Sequence, residues 1–209
     1  MNRILIVDDH AVVRRGLREI LTDEQNVEVA EAAEPREAYR LILEQAWSLV
    51  VLDIDLPGRG GLELLKDLRR ERPRLPVLIL SVYPEEQFAL RTLKAGASGF
   101  LSKDSAPEEL VRAARKILRG GKYFSERVVE MLLSDPNAPA AAHPHDLLSD
   151  REFQVLCLFG SGKSAKEIAG ELSLSPPTVS TYRARILEKM RMRTTAELMR
   201  YAIENRLIK

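Results

Sequence analysis

Five short apolar runs, each followed by a segment with helical spacing, constrain the fold of the first part of the chain more than any other feature. The runs occupy residues 3–8, 27–32, 49–53, 77–81 and 99–103. The helical patterns pass through residues 12–21, 35–45, 60–72, 84–95 and 107–119. Strands that alternate with helices are joined by right-handed crossovers and form a parallel sheet covered on both faces. The third and fourth runs are apolar almost throughout, which indicates burial on both sides.

The rest of the chain differs in texture and predicts a second domain. A short helix is expected at about 125–133, and residues 134–146 contain three prolines and no apolar period, which is typical of a semi-flexible linker. A chain of 209 residues also exceeds one typical domain. We predict a first domain at 1–121, a linker with a short helix at 122–146 and a second domain at 147–209.

The second domain is predicted to be helical and basic. Four helix starts are marked by three Ser/Thr-x-x-Glu capping boxes and by a serine before two prolines: Ser149–Glu152, Ser164–Glu167, Thr194–Glu197 and Ser175. Residues 149–209 carry 11 Lys and Arg against 7 Asp and Glu, whereas residues 1–133 carry 21 against 22. The basic excess belongs to the second domain, and it indicates a nucleic-acid partner for that part alone.

The cysteine and the linker histidines carry little functional signal. Cys157 lies in an apolar stretch and is expected to pack rather than react. His143 and His145 could bind a metal, but an isolated His-x-His in a linker is usually solvated.

No apolar run approaches the ~20 residues of a membrane span. No signal peptide is evident, so we expect a cytoplasmic protein with no membrane partner.

Polar side chains end several of the predicted strands, at the edge where open α/β sheets bind their ligands. Asp8 and Asp9 end the first run or follow it, and the third, fourth and fifth runs end in Asp53, Ser81 and Lys103. Three carboxylates at one edge suit a hard divalent cation such as Mg²⁺ (or Mn²⁺). The sequence therefore predicts a metal site beside a hydroxyl and an ammonium.

Asp53 is the best-placed nucleophile, because an aspartyl carboxylate can accept a phosphoryl group as an acyl phosphate. The cation, with the backbone carbonyl of Asp55 as a further ligand, and the Lys103 ammonium would neutralise charge on the transferring group. The Ser81 hydroxyl would hydrogen-bond a phosphoryl oxygen. Each residue alone has an ordinary explanation as a helix cap or a surface residue. The joint arrangement favours phosphoryl chemistry.

Residues 1 to about 120 resemble a two-component receiver domain. The resemblance rests on Asp8-Asp9, Asp53 with the trailing Pro57-Gly58, Ser81 and the segment 96–103. It implies a flavodoxin-like fold with strand order 2-1-3-4-5. It also implies Mg²⁺-dependent transfer from the phosphohistidine of a histidine kinase to Asp53, followed by slow self-dephosphorylation.

The same resemblance implies a switch in which Ser81 moves toward the phosphoryl group and the aromatic residue Phe100 turns inward. Two positions depart from the commonest receiver pattern. Ser81 is often Thr in the family, and Phe100 is often Tyr, so a switch hydroxyl at position 100 is absent from this chain.

The helix predicted at about 176–190 has an apolar and a polar side. The apolar side is formed by Val179, Tyr182, Ile186 and Met190, and the polar side and its flanks by Ser180, Thr181, Arg183, Ala184, Arg185 and Lys189. Taken alone, this helix is equally well explained as a core helix with a solvated basic face. The preceding helix, 164–172, and the short turn favour a helix-turn-helix, which inserts its second helix into the major groove.

Residues 147–208 are similar to a LuxR-type helix-turn-helix through residues 148–156, 166–169, 178–183 and 186–190. With a receiver in front, this is the organisation of the NarL/FixJ family of response regulators. The resemblance implies binding to double-stranded DNA at promoter sites, and homodimerisation on phosphorylation partly through a last helix at about 195–204. The implied DNA-binding residues are Lys166, Thr178, Ser180, Thr181, Arg183, Ala184, Arg185 and Lys189. Ser180 replaces a common Lys and Tyr182 a common His, which leaves the preferred DNA sequence open.

Two other functions remain open from the sequence. Asp53-Ile-Asp55 has the Asp-x-Asp spacing of a haloacid-dehalogenase-type phosphatase, although that nucleophile normally follows the first strand. The other is a receiver that acts through protein interaction and carries a degenerate DNA module.

Gly160–Ser164 looks like the end of a phosphate-binding loop, but the first glycine of that motif would fall at Cys157, with no strand before it. The dimer surface is also open between the first and fifth receiver helices and the fourth helix with its neighbours.

Overall fold

The structure, a computed structural model, describes residues 1–24, 26–58, 60–83, 85–134 and 143–208, without the side chains of Glu86, Gln87 and residues 131–134. The chain forms two compact units, Met1–Val129 and Glu130–Lys209. The boundary between the units falls inside the predicted linker, whose residues 135–142 lie outside the described part.

The first unit contains a five-stranded parallel sheet. Its strands are β1 (Asn2–Val7), β2 (Val27–Ala32), β3 (Leu49–Asp53), β4 (Val77–Ser81) and β5 (Gly99–Ser102). They are ordered β2-β1-β3-β4-β5, and every neighbouring pair is parallel. The predicted doubly wound fold and its strand order 2-1-3-4-5 are confirmed.

Helices follow the strands and cover the sheet. They are α1 (Ala11–Thr22), α2 (Pro35–Glu44), α3 (Gly61–Glu71), α4 (Glu85–Lys94) and α5 (Pro107–Leu118), and α6 (Glu126–Ser134) comes next along the chain. On one face, Ile4 and Ile6 belong to a buried cluster with Leu110 and Ile117 of α5. The alternate residues of β1 are buried as well, so the second face is also covered. Each fully buried Leu or Ile contributes about 1.5–3 kcal/mol to stability.

The strand register brings the predicted site residues to one edge of the sheet. Asp53 pairs with Leu80, and Ser81 pairs with Ser102. Asp53 and Ser81 end their strands, and Lys103 follows directly after β5. All three therefore leave neighbouring strands at the carboxyl end, where doubly wound sheets bind ligands.

The chain after α5 returns to the outer edge of β5. The Tyr123 N–H donates to the Ser98 carbonyl, and the Phe100 N–H donates to the Tyr123 carbonyl, both at 2.9 Å. Between these bonds lies Gly99, where a Cβ would be only 2.8 Å from the Tyr123 carbonyl oxygen. Only glycine allows so close an approach of two backbones. The outer edge of β5 is thus occupied by backbone pairing.

The second unit is helical. A 3₁₀ turn (Pro144–Leu147) precedes α7 (Asp150–Gly160), α8 (Ala165–Glu171), α9 (Pro176–Met190) and α10 (Thr195–Glu204). The four predicted helices of this domain are confirmed, and the caps at Ser149, Ser164 and Ser175 form as predicted.

The third predicted capping box, at Thr194 and Glu197, includes one additional bond. The Thr194 side chain accepts the N–H of Glu197, as expected. The Glu197 carboxylate also accepts the N–H of Arg193 at 2.7 Å, and the backbone N–H groups of Arg193 and Thr194 both lower the pKa of Glu197.

The expectation of solvated linker histidines was wrong for His145. Its side chain is buried, its Nδ1 lies 2.7 Å from the Tyr201 hydroxyl, and its ring lies 5.6 Å from that of Phe153. His143 is exposed and its ring stacks on His145. Cys157 is buried in α7 as predicted. None of the described helices has the length and apolar character needed to cross a membrane.

Candidate functional site

Two buried carboxylates and one ammonium meet at the carboxyl edge of the sheet. Asp8 follows β1 and Asp53 ends β3, and each is 1% exposed. Lys103 places its Nζ 2.7 Å from Asp8 Oδ2 and 2.6 Å from Asp53 Oδ2. The Lys103 N–H donates to the Ser81 carbonyl at 2.8 Å, which fixes the point from which its side chain reaches across. The structure therefore brings these predicted residues into direct contact.

Three strand ends share one local motif that orients their side chains. Asp8 Oδ1, Asp53 Oδ1 and Ser81 Oγ each accept the backbone N–H of the residue two positions later, at 2.7, 3.0 and 3.0 Å respectively. Asp and Ser side chains commonly make this bond in turns. It leaves Oδ2 of both aspartates for Lys103 and orients the carboxylates before any ligand arrives.

The charges in this pocket oppose one another. Burial raises the pKa of the Asp53 carboxyl and the Asp8 carboxylate raises it further, while Lys103 and the Asp55 N–H counteract the rise only in part. Burial lowers the pKa of the Lys103 ammonium, but Asp53 and Asp8 outweigh that effect and the pKa is raised overall. Lys103 therefore stays charged at neutral pH, and an added cation would favour the ionised form of the buried Asp53 carboxyl.

The donor set fits a hard divalent cation. Asp8, Asp9, His10 and Asp53 offer ligand atoms that all lie within 4.8 Å of one another. Asp9 Oδ1 is buried and lies 2.8 Å from His10 Nδ1. Carboxylate oxygens are the ligands that Mg²⁺ and Mn²⁺ prefer. The three predicted carboxylate ligands therefore come together.

The donor set contains one residue that was not predicted, and one predicted ligand is not tested. His10 was not predicted as part of the cluster, although its position directly after Asp8-Asp9 was the available signal. The ligand role of the Asp55 carbonyl stays a prediction.

The two residues expected to act in a switch are buried. Ser81 is 0% exposed at the end of β4, and Phe100 is 1% exposed within β5. Beyond Ser81, the ring of Tyr83 stacks on that of Phe88 at 4.5 Å, which ties the turn after β4 to helix α4. The aromatic side chain at position 100 is therefore inside the unit, and its inward turn as part of a switch stays a prediction.

The second candidate surface is the exposed side of α9. Val179, Ile186 and Met190 are buried and Tyr182 is half-buried, so the predicted apolar side faces the core of its unit. The predicted DNA-binding residues of this helix that are exposed are Ser180, Thr181, Arg183, Ala184, Arg185 and Lys189, and Lys166 of α8 is exposed as well.

The first turn of α9 is held by internal bonds. Ser175 Oγ accepts the Thr178 N–H at 3.3 Å and lies 2.8 Å from Thr178 Oγ1. The Thr181 hydroxyl donates to the Pro177 carbonyl at 3.0 Å. Thr178, also expected to contact DNA, is half-buried within this cap. The start of the helix is therefore fixed without help from a ligand.

Two charged residues of α7 hold the helix-turn-helix in place. The sequence predicted Glu152 only as a capping residue and did not indicate the contacts below. Lys189 Nζ of α9 lies 2.6 Å from Glu152 Oε2, and the Glu152 carboxylate also accepts the Ser149 N–H at 2.8 Å. Burial would raise the Glu152 pKa, but Lys189 and Ser149 outweigh it and lower the pKa. Arg151, buried in the same turn, donates to the Leu172 carbonyl at 3.1 Å, at the end of α8.

Comparison with known proteins settles the family. The response regulator receiver domain matches residues 4–115, and the luxR family of bacterial regulatory proteins matches residues 146–202. The response regulator GacA of Pseudomonas protegens is 36% identical over 209 residues, which cover 100% of this chain and 98% of GacA. This chain is a response regulator of the NarL/FixJ family. A receiver followed by a LuxR-type domain makes it a DNA-binding transcription regulator.

Other relatives align over nearly the whole response regulator. UvrY of Escherichia coli strain K12 is 34% identical, over 99% of this chain and 96% of UvrY. Among solved structures, RcsB of Salmonella typhimurium is 25% identical, with 96% of this chain and 98% of RcsB covered and a TM-score of 0.61. A further RcsB structure, with two dimers bound to two parallel DNAs, has the same identity and coverage and a TM-score of 0.60.

Proposed function

We propose that this response regulator accepts a phosphoryl group from a histidine kinase on Asp53, and that Asp8, Asp9 and Asp53 hold a Mg²⁺ or Mn²⁺ ion beside it. The observation that carries the proposal is the position of the Lys103 ammonium, within 2.7 Å of both Asp8 and Asp53 at a buried sheet edge. The Asp53 carboxylate is therefore already paired with the Lys103 ammonium. Such an arrangement suits a group that arrives with several negative oxygens.

In this proposal, Asp53 Oδ2 forms a bond to phosphorus while the P–N bond of the kinase's phosphohistidine breaks. Lys103 then exchanges its contact with Asp53 for one with a phosphoryl oxygen, because the new group occupies the position that the ammonium now faces. The Ser81 hydroxyl donates to another phosphoryl oxygen. A divalent cation, when bound, neutralises charge on the phosphoryl oxygens. We expect no turnover of phosphate esters, since the chain uses this chemistry as an input.

The output in this proposal is a change in DNA binding through α9. The exposed residues of α9 predicted to bind DNA, together with Lys166 and Thr178, meet double-stranded DNA. Phosphorylation favours a homodimer that places two such helices on neighbouring half-sites. Binding as a pair raises affinity through effective concentration. The RcsB structure with two dimers on DNA supports this arrangement by analogy. Lys189 acts mainly as an anchor for α9, because Glu152 engages its ammonium.

A gel-shift experiment tests both parts of the proposal. The full chain is titrated onto genomic fragments with Mg²⁺ alone and with Mg²⁺ plus beryllofluoride, a mimic of the acyl phosphate. We expect tighter binding and a two-protomer complex with beryllofluoride, and no response from Asp53→Asn, which keeps the shape of the side chain and loses the phosphoacceptor. Equal affinity and stoichiometry in the two conditions would refute the switch.

A further inference from the structure

The residue that ends α9 has an unfavourable backbone conformation. Arg191, the C-cap, has φ 55° and ψ 39°, in the left-handed region. Side chains with a Cβ are disfavoured there, and helices commonly use glycine or asparagine at such ends. A non-glycine residue in this region is a reason to look for a function that keeps it.

Arg191 follows α9 directly, at the end of the stripe that carries Ser180 and Ala184. A helix has 3.6 residues per turn, so residues seven and eleven positions apart lie on nearly the same side. Arg191 is seven residues after Ala184 and eleven after Ser180, both of which are exposed. The rise from Ser180 to Arg191 is about 16 Å. The major groove is about 12 Å wide, so a residue this far along the stripe meets the phosphates at the groove rim, beyond the base edges.

The charge of Arg191 is available for such a contact. The Lys189 ammonium, two residues earlier, is bound to Glu152. The Arg191 side chain is exposed and makes no ion pair or hydrogen bond with any residue in the described part of the chain. Within the described residues, Arg191 therefore presents an unpaired cation at this end of α9.

We infer that Arg191 is a DNA-phosphate contact at the C-terminal end of the reading helix, and that its unfavourable backbone conformation is retained for this purpose. The inference rests on the proposed role of α9 and adds a residue outside the set expected from the sequence. The contact is to the DNA backbone, so it contributes equally to binding of all sequences. It also lies past the last helical residue, where glycine would give a more stable helix end.

The chain contains a matched control. Arg206, just beyond α10, is also an exposed arginine in the left-handed region, with φ 53°. It shares the side chain, the charge and the backbone conformation of Arg191, but it follows α10 and lies outside the stripe of α9. Replacing either arginine with glycine removes one positive charge and relieves the same backbone strain.

The experiment compares four full-length proteins on a short mixed-sequence DNA duplex: wild type, Arg191→Gly, Arg191→Lys and Arg206→Gly. Dissociation constants are measured by fluorescence anisotropy between about 50 and 200 mM KCl, and thermal midpoints by calorimetry. For Arg191→Gly we expect the slope of log affinity against log salt to fall by about 0.9 per protomer and affinity to fall about fivefold per protomer at 0.15 M salt. The midpoint of the DNA-binding unit should rise by a few degrees. Arg191→Lys should keep the wild-type salt slope. Arg206→Gly should raise the thermal midpoint and leave the salt slope unchanged.

The inference is overturned if Arg191→Gly and Arg206→Gly change the salt slope equally, since the effect would then be one of net charge. It is also overturned if Arg191→Gly leaves the slope unchanged. A fifth protein, Arg183→Ala/Arg185→Ala, separates this failure from failure of the proposed function. If that double variant binds DNA with the wild-type slope, α9 is not the DNA-binding surface at all.

Discussion

The Lys189–Glu152 ion pair offers a sharp test of how the reading helix is held. In Lys189→Met, the Glu152 carboxylate loses its cation while the side chain remains only 4% exposed; the Lys189 side chain itself is 40% exposed. Breaking a buried ion pair costs about 3–5 kcal/mol, and breaking an exposed one about 0–1. Because one partner is buried, the other is half in solvent, and Ser149 still donates to the carboxylate, we expect a loss of about 2 kcal/mol.

That loss corresponds to a fall of roughly 10 °C in the thermal midpoint of a unit of this size. Calorimetry of the full chain measures it, because the two compact units can unfold in separate transitions. The matched control is Lys163→Met, which removes the same side chain from an ion pair with Glu171 in which both partners are more than a third exposed. We expect the control to lose less than about 1 kcal/mol. Equal losses in the two variants would refute the reasoning.

The stability difference between wild type and Lys189→Met should depend on pH, because the Glu152 pKa is lowered in the folded chain. A carboxyl whose pKa is lowered by folding stabilises the fold above its unfolded pKa, about 4.3 for Glu, and that contribution is lost as the pH falls through the folded value. The gap between wild type and Lys189→Met should therefore be full near neutral pH and shrink below about pH 4. A gap that persisted unchanged in acid would show that lost packing, and not the ion pair, causes the effect.

Three further changes concern the receiver. Asp53→Asn should abolish labelling by a small-molecule phosphodonor, seen as loss of the shifted band in a phosphate-affinity gel, while the thermal midpoint stays within a few degrees; a persistent band would move the phosphoacceptor elsewhere. Lys103→Met should bind Mg²⁺ about tenfold more tightly in titration calorimetry, because the ammonium no longer offsets the Asp8 and Asp53 carboxylates. Weaker binding would contradict this electrostatic account. Gly61→Ala should destabilise the receiver by more than about 2 kcal/mol in urea unfolding, because its Cβ would lie 2.0 Å from the Asp53 carbonyl oxygen. A variant as stable as wild type would show that α3 can shift.

The sequence predicted local elements well because local signals determine them. The bounds of β3, β4 and α9 follow from apolar periodicity and from the Ser175 cap, and the structure agrees with them. Periodicity alone indicated a parallel sheet without giving its order, since strands of similar composition can exchange places. The order came from the resemblance to a receiver, which the register of β1, β3 and β4 then confirmed.

The features that the sequence did not reveal depend on contacts between distant residues. Lys189 lay on the flank of a helical wheel, and nothing local shows that Glu152, 37 positions earlier, approaches it. His145 was assigned to solvent because its neighbours are linker residues, but its partner Tyr201 comes 56 positions later on α10. Burial and ion pairing of this kind are properties of packing, so only the folded chain shows them.

The backbone pairing of Tyr123 with β5 has a consequence for how copies of the chain can associate. An open strand edge is a template for growth by β-addition, and it invites irreversible aggregation. One edge of this sheet is blocked by the hydrogen bonds of Tyr123, and the other, β2, carries Glu28 and Glu31 in a strand of six residues. Charges on a short edge strand discourage such growth. Growth of the sheet from copy to copy is thereby discouraged at both edges, so copies of the chain can meet and separate without forming a continuous sheet.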